Sequence, residues 1–231
     1  MKNIAIIPAR GGSKRIPRKN IKDFFGKPIL AYSIDVALRS KIFDEVIVST
    51  EDYEIAEIAK LYGASVPFFR SEITANDHAT MEDVVSEVLL EYKKQGILFE
   101  NFCCILPTAP FLSIQSIQKS FDIFKNNSYD ALLPVLRFSY PIQRALKIEA
   151  GKVVMREAMH IHTRSQDLEP MFHDAGLFYW MNVHKFFEIR EIFCDNTGMI
   201  ELSEMEVQDI DTVEDWCLAE FKYAFMKSQK Y

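Results

Sequence analysis

The residues best suited to chemistry form a basic loop directly after the first apolar run. An apolar segment, 4–7, ends at Pro8 and is followed by a glycine pair and a series of cations. The cations are Arg10, Lys14, Arg15, Arg18 and Lys19. Glycines at the carboxyl end of a strand bring backbone N–H groups close to a ligand, and neighbouring cations suit the oxygens of a polyphosphate. The loop therefore predicts a phosphate site, with a merely solvated basic loop as the alternative.

A second candidate site lies near the C-terminus, at Asp209 and Asp211. We expect residues 206–210 to form the last strand, and side chains two residues apart on a strand share one face. Two neighbouring carboxylates can hold a hard cation such as Mg²⁺ through oxygen. The alternative is that Asp211 and Glu214 approximate an N-terminal capping pattern, which explains Asp211 without a metal but leaves Asp209 unexplained.

Arg70, the pair His160 and His162, and Tyr179 are further candidate positions. Arg70 lies on a polar loop predicted to face the same sheet edge, where it could contact a phosphate or a base. His160 and His162 form an H-x-H pair without a third ligand at a fixed spacing, so a zinc site is not favoured. Tyr179 belongs to an aromatic strand segment that is predicted mainly as core, although one of its residues could line a pocket.

Alternating apolar runs and amphipathic segments predict an α/β fold with a largely parallel sheet. The predicted strands are 3–8, 45–50, 64–69, 103–106, 131–136, 175–181 and 206–210. The predicted helices are 28–40, one capped by Asp52 and ended by Gly63, one containing 84–92, 113–125, 182–192 and a C-terminal helix. Residues 137–171 break the alternation, which indicates an excursion from the main sheet, either an arm or a lid.

Composition narrows the class of protein. The chain has 231 residues, of which 48% are hydrophobic, so residues 1–231 can form one domain with a substantial core. A net charge of −6 argues against nucleic acid as a partner, so the local basic loop favours a small anionic ligand. Four cysteines without metal-binding spacing predict reduced thiols and a cytoplasmic location. We expect neither a signal peptide nor a membrane span, since no apolar stretch approaches about 20 residues.

Several motifs together carry a family resemblance. They are I-I-P-A-R-G-G-S-K-R-I-P-R-K-N in the basic loop, T-E-D-Y-E-I-A after it, the turn L-P-T-A-P, and the late D-I-D-T-V-E-D. The chain resembles the acylneuraminate cytidylyltransferase family, which contains the CMP-sialic acid synthetases and their relatives. The segments P-I-Q-R-A-L-K-I, T-R-S-Q-D-L-E-P and H-D-A-G-L-F-Y-W resemble the pseudaminic acid branch of that family.

The resemblance implies a three-layer, Rossmann-like nucleotide-diphospho-sugar transferase fold, and a homodimer in which residues 137–171 reach the partner. The implied reaction joins CTP and a nine-carbon sugar acid, pseudaminic acid in first place, into a CMP-sugar and pyrophosphate for bacterial surface or flagellin glycosylation. The implied nucleotide-binding residues are Ala9, Arg10, Gly11, Ser13 and Lys14 for the triphosphate, Lys19 and Asn20 for phosphate and nucleoside, and Arg70 and Thr80 for cytidine. Asp209 and Asp211 would hold Mg²⁺ and, with Arg10 and Lys14, form the catalytic set.

Four residues are candidates for the sugar site. Leu106 stands where many sialic acid enzymes have glutamine before P-T-[AS]-P, which favours a more deoxygenated sugar than N-acetylneuraminic acid. Tyr179 is a further sugar candidate, and Arg164 or His173 are candidates for holding the sugar carboxylate. Legionaminic and N-acetylneuraminic acids stay open as substrates. A non-catalytic nucleotide-binding module is the alternative from another class, whereas a dinucleotide dehydrogenase is disfavoured because the loop lacks G-x-G-x-x-G.

Overall fold

The structure, a computed structural model, describes residues 2–76 and 78–229. The strands are β1 Asn3–Pro8, β2 Asp23–Phe24, β3 Lys27–Pro28, β4 Glu45–Ser49, β5 Asn101–Ile105, β6 Ala131–Arg137, β7 Leu146–Glu149, β8 Lys152–Met155, β9 Phe172–Asp174, β10 Phe178–Asn182 and β11 Thr197–Glu201. The helices are α1 Leu30–Ser40, α2 Tyr53–Leu61, α3 Glu72–Ala75, α4 Met81–Lys94, α5 Ile114–Asn126, α6 Val183–Ile189 and α7 Val213–Ser228.

The main sheet has the strand order β11-β6-β10-β5-β1-β4, with β9 also paired to β6. Strands β1, β4, β5, β6 and β11 run in one direction, whereas β9 and β10 run against them. The predicted α/β class with a mostly parallel sheet is therefore confirmed. The carboxyl ends of β1, β4 and β5 meet at one edge, which is where open α/β sheets bind ligands.

Helices cover both faces of the main sheet, which explains why its central strands are apolar throughout. On β1, Ala5 and Ile7 pack into a core cluster with residues of α1, α2 and α5. The alternate residues Ile4 and Ile6 pack into a second cluster with residues of α4 and α6. The result is a three-layer arrangement of helix, sheet and helix.

Capping side chains set the starts of the helices nearest the ligand-binding edge. Asp52 caps α2 by accepting a hydrogen bond from Ile55 N at 3.0 Å, as the sequence predicted. At the start of α7, Thr212 and Asp215 form a complete capping box. The alternative in which Asp211 and Glu214 cap this helix is therefore wrong by one residue.

Two predicted strands are wrong. Residues 64–69 contribute only an isolated bridge between Ile47 and Ser65, because Pro67 cannot donate to a ladder. Residues 206–210 also lie outside the sheet: a turn of 3₁₀ helix at Glu204–Glu206 leads into extended, unpaired chain. The sheet edge beside β6 is instead taken by β11, and the polar loop 70–80 contains the short helix α3.

Residues 137–171 leave the main sheet after β6 and include a separate hairpin of β7 and β8. Its turn is formed by Ala150 and Gly151, both with positive φ (47° and 75°), as the tightest hairpin turns require. In the described part of the chain, no helix combines the length and the apolar character needed to cross a membrane.

Candidate active site

A cleft of about 320 Å³ opens at the edge of the main sheet where β1 and β5 end. Four parts of the chain form its walls: the loop after β1, the segment leading into α4, the turn after β5, and the segment before α7. The cleft brings together most of the predicted nucleotide residues. The predicted nucleotide residues that line it are Arg10, Ser13, Lys19, Asn20, Arg70 and Thr80. The predicted metal ligands Asp209 and Asp211 and the predicted sugar residue Leu106 line it too.

The loop after β1 is tied to the sheet and to itself. Ala9, fully buried, donates its N–H to the Ser49 carbonyl at the end of β4 over 2.9 Å. The Asn20 side-chain amide donates to the Arg10 carbonyl at 2.9 Å, so the far end of the loop returns to its start. These bonds fix where the basic side chains leave the backbone.

Lys19 joins the two principal motifs of the sequence. Its Nζ donates to the Ile210 carbonyl at 2.5 Å and lies 3.4 Å from Asp211 Oδ1. Arg15 Nη2 forms a second ion pair with Asp211 at 3.0 Å. The basic loop and the aspartate pair, far apart in the sequence, therefore form one charged site.

Arg70 lies in the wall of the cleft with only 8% of its surface exposed. Its Nε donates to Ser49 Oγ at 3.2 Å and its Nη2 to the Ser49 carbonyl at 2.5 Å. Burial lowers the pKa of this guanidinium, while the charges of Glu51 and Glu87 act in the opposite direction. An arginine stays protonated under such conditions, so Arg70 presents a fixed cation to the cleft.

The two aspartates differ in electrostatic surroundings. Asp211 has Arg15 and Lys19 as partners, and its backbone N–H donates to Asp215 Oδ2 at 3.0 Å. The pKa of Asp209 is raised, first because the cleft removes part of its hydration and then because of the charge of Asp211. Asp209 nevertheless remains accessible to solvent. An accessible carboxylate with disfavoured negative charge is suited to receiving a cation.

Comparison with known proteins identifies the family. The cytidylyltransferase family profile matches residues 4–224. The chain belongs to the cytidylyltransferase family. It is 42% identical over 224 residues to a pseudaminic acid cytidylyltransferase of Campylobacter jejuni, covering 96% of this chain and 97% of that protein. It is 32% identical to a CMP-N,N'-diacetyllegionaminic acid synthase of Legionella pneumophila, covering 95% of each.

The fold of this cytidylyltransferase is shared with a solved nucleotidyltransferase. The structure of a CMP:2-keto-3-deoxy-manno-octonic acid synthetase complexed with CTP superposes with a TM-score of 0.70. The match covers 99% of this chain and 100% of that one at 17% identity, so it establishes the fold alone. The predicted nucleotidyltransferase fold is thereby confirmed.

The other predicted nucleotide residues of the cytidylyltransferase lie beside the cleft rather than on its walls. Ala9 is buried beneath the loop, and the backbone N–H of Gly11 donates to Glu51 Oε1 at 2.7 Å. Lys14 is exposed to solvent.

The predicted sugar residues divide into two groups. His173 and Asp209 line a second cavity of about 360 Å³, so this cavity shares Asp209 with the first cleft. The Tyr179 hydroxyl donates to Asp174 Oδ2 at 2.6 Å, and Asp174 lines the same second cavity. Arg164 lies on the 137–171 excursion, is exposed, pairs with Asp167 at 2.7 Å and lines neither cavity.

Several residues that shape the site were not predicted from the sequence. Arg15 lies in the cleft, although only its membership of the cationic series distinguished it. Glu51 accepts the Gly11 N–H, and its other oxygen is buried with no hydrogen-bond partner in the described structure. The only available signal for Glu51 was its position directly after a strand that ends at the ligand-binding edge.

Proposed function

We propose that this chain transfers the cytidylyl group of CTP to pseudaminic acid, releasing pyrophosphate, in a pathway of bacterial surface or flagellin glycosylation. The observation that carries the proposal is the 42% identity to a pseudaminic acid cytidylyltransferase over nearly the full length of both chains. The gathering of the basic loop, Arg70 and the aspartate pair at one cleft supports it. Each of these groups has a place in binding a nucleoside triphosphate.

CTP would lie across the end of β1. Arg10, Ser13 and Lys19 line the cleft together, so they offer two cations and a hydroxyl to the triphosphate. Asn20 would hold the adjoining part of the nucleoside. Arg70 would contact the cytidine. It lines the cleft, and its hydrogen bonds to Ser49 hold the guanidinium in a fixed orientation there.

The side chains of Asp209 and Asp211 are suited to binding a magnesium ion. Asp209 and Asp211 supply carboxylate oxygens, the donors that Mg²⁺ prefers, and a cation would relieve the raised pKa of Asp209. Among the described residues no group of three or more acidic, histidine or cysteine side chains could hold a metal alone. Phosphate oxygens and water would therefore complete the coordination. When bound, Mg²⁺ would neutralise charge on the triphosphate and help to orient it.

The chemistry needs placement and charge neutralisation more than covalent catalysis. The anomeric hydroxyl of the sugar attacks the α-phosphorus of CTP in line. A bond forms between that oxygen and phosphorus, the bond to the β-phosphate oxygen breaks, pyrophosphate leaves with the electron pair, and the hydroxyl proton passes to water. Arg10 and Lys14 would offset the charge that develops on pyrophosphate.

The sugar would lie on the side of Asp209 away from the basic loop. Leu106 lines the cleft and packs against a cluster that includes Tyr179, so this wall is apolar and suits a deoxygenated sugar. His173 is a candidate for the sugar carboxylate, because it and Asp174 line the adjoining cavity. Tyr179 would act by holding the Asp174 carboxylate in place.

A homodimer is part of the proposal. The hairpin of β7 and β8 is a two-stranded sheet of its own, and such hairpins are marginally stable when isolated in water. Three of its apolar side chains are largely exposed: Leu146 at 65%, Ile148 at 78% and Val153 at 67%. A second copy of the chain that covers this hairpin would remove these side chains from water.

The test is pyrophosphate release with CTP, Mg²⁺ and a panel of pseudaminic, legionaminic and N-acetylneuraminic acids. We expect turnover with pseudaminic acid to exceed turnover with the other two. Asp209→Asn and Asp211→Asn should each lower kcat by about 100-fold or more, because each removes a metal ligand. Asp35→Asn, an exposed change on α1, is the control and should retain wild-type rates. Silence with every sugar acid, in protein that binds CTP, would favour the non-catalytic binding module.

A further inference from the structure

The loop after β1 is fastened at two points to the start of α2. At one point the Gly11 N–H donates to Glu51 Oε1 at 2.7 Å. At the other, the Arg18 guanidinium makes a two-pronged contact with the Asp52 carboxylate, with Nη2 to Oδ1 at 3.0 Å. The same Nη2 donates to Glu54 Oε2 at 2.5 Å. Residues 12–17, which include cleft-lining Ser13 and Arg15, lie between the two fastenings.

Arg18 differs from the cleft-lining cations of the loop. Arg10, Arg15 and Lys19 line the cleft, whereas Arg18 does not and directs its guanidinium to two acids of α2. The backbone of Arg18 is left-handed (φ 54°), a conformation that a non-glycine residue adopts at a cost. The hydrogen bond between the Arg18 and Asp52 side chains raises the pKa of Arg18 and lowers the pKa of Asp52. Arg18 therefore anchors the loop after β1 to the start of α2.

We propose that Asp52 is a positioning residue that fixes the conformation of the phosphate loop through Arg18, and that Arg18 itself is not a phosphate ligand. The inference rests on the proposed function, because it takes the loop to hold the triphosphate of CTP. A loop that is already ordered loses less conformational freedom when the ligand binds, so affinity rises. Glu51 supports the same arrangement at the Gly11 end.

Asp52 has two roles, as the partner of Arg18 and as the N-cap of α2, and one substitution can separate them. Its Oδ1 also accepts the Ile55 N–H as the N-cap of α2, so replacement by alanine would damage the helix as well as the anchor. Asparagine caps helices about as well as aspartate but carries no charge. Asp52→Asn therefore keeps the cap and weakens only the contact with Arg18.

The experiment measures the Kd of CTP in the presence of Mg²⁺ by calorimetry, without any sugar. The variants are Asp52→Asn, Arg18→Gln and the double variant, with Asp35→Asn as the control that removes an exposed aspartate–arginine pair on α1. We expect each single variant to bind CTP about tenfold more weakly, with the double variant no weaker than either. Melting temperatures should stay near that of the wild type. Trypsin should cut within residues 10–19 faster in both single variants, and CTP should slow the cutting.

The opposite assignment gives a different result. If Arg18 bound phosphate directly, Asp52→Asn would free it and CTP would bind as tightly as in the wild type or more tightly, while Arg18→Gln alone would weaken binding. That outcome, or affinities equal to the Asp35→Asn control in both variants, overturns the inference while leaving the proposed function in place. If the wild type itself fails to bind CTP, the proposed function fails and the inference falls with it.

Discussion

Gly11 illustrates, at the scale of single residues, how closely the loop after β1 packs against the start of α2. A Cβ atom added at Gly11 would collide with the Asp52 carboxylate and lie 3.1 Å from Arg18 Nη1. Its neighbour Gly12 has open space at the corresponding point. The two adjacent glycines therefore have different reasons to be present, although they look equivalent in the sequence.

This difference gives a paired prediction. Gly11→Ala should push Asp52 away from Arg18 and weaken CTP binding by about tenfold, because the loop loses its anchor. Gly12→Ala should change the Kd by less than about threefold, since its new methyl group meets nothing. Titration of both variants with CTP and Mg²⁺ checks the pair. An equal loss of CTP affinity in the two variants would show that a clash between residue 11 and Asp52 does not determine binding.

The residues of the cleft were predictable to the extent that strand ends locate them. Arg10, Ser13 and Lys19 lie on the loop after β1, and that loop must start at the ligand-binding edge because β1 is a parallel strand. The partner of Arg18 was not predictable in this way. It depends on how closely the loop approaches α2 in three dimensions, and several acids stand at comparable sequence distances.

At the scale of elements, the start of α7 positions one of the two aspartates. Asp215 Oδ2 accepts hydrogen bonds from Asp211 N at 3.0 Å, Thr212 N at 2.7 Å and Thr212 Oγ1 at 2.8 Å. These bonds lower the pKa of Asp215. Its contribution to stability is thus present at neutral pH and is lost as the pH falls through the lowered folded-state value. The helix cap and the candidate metal ligand share one carboxylate.

Removing the Thr212 hydroxyl should affect catalysis as well as stability. This hydroxyl holds the Asp215 carboxylate, which in turn accepts the Asp211 N–H. Thr212→Ala should lower the free energy of unfolding by about 1 kcal/mol, as is usual for a lost N-cap. Ser113→Ala removes the comparable cap of α5, where the Ser113 hydroxyl accepts the Ser116 N–H at 3.0 Å, at a similar cost. Only Thr212→Ala should also reduce kcat with CTP and Mg²⁺. Denaturant unfolding and pyrophosphate release measure the two effects, and an equal kcat in both variants would dissociate the cap from the site.

Elements with strong periodicity were predicted well, and those set by tertiary pairing were not. Helices α4 and α5 have clear apolar faces, so their positions follow from the sequence. Strand β11 was missed because it buries only Gly198 and Ile200, too few residues to stand out. The extended segment 206–210 has strand-like composition but no strand beside it to pair with.

At the scale of the whole molecule, we expect the exposed hairpin of β7 and β8 to form the interface of a homodimer. Ile148→Asp puts a charge at the centre of the apolar side chains on β7 and β8, and burying that charge in an interface would be costly. Sedimentation velocity should therefore show a dimer for the wild type and a monomer for Ile148→Asp. Leu98→Asp is the matched control, because Leu98 is also largely exposed (66%) but lies outside the hairpin, and this variant should remain dimeric. A monomeric wild type, or a dimer that survives Ile148→Asp, would mean that the hairpin is not the interface, and residues 137–171 would then need another role, such as a lid over the second cavity.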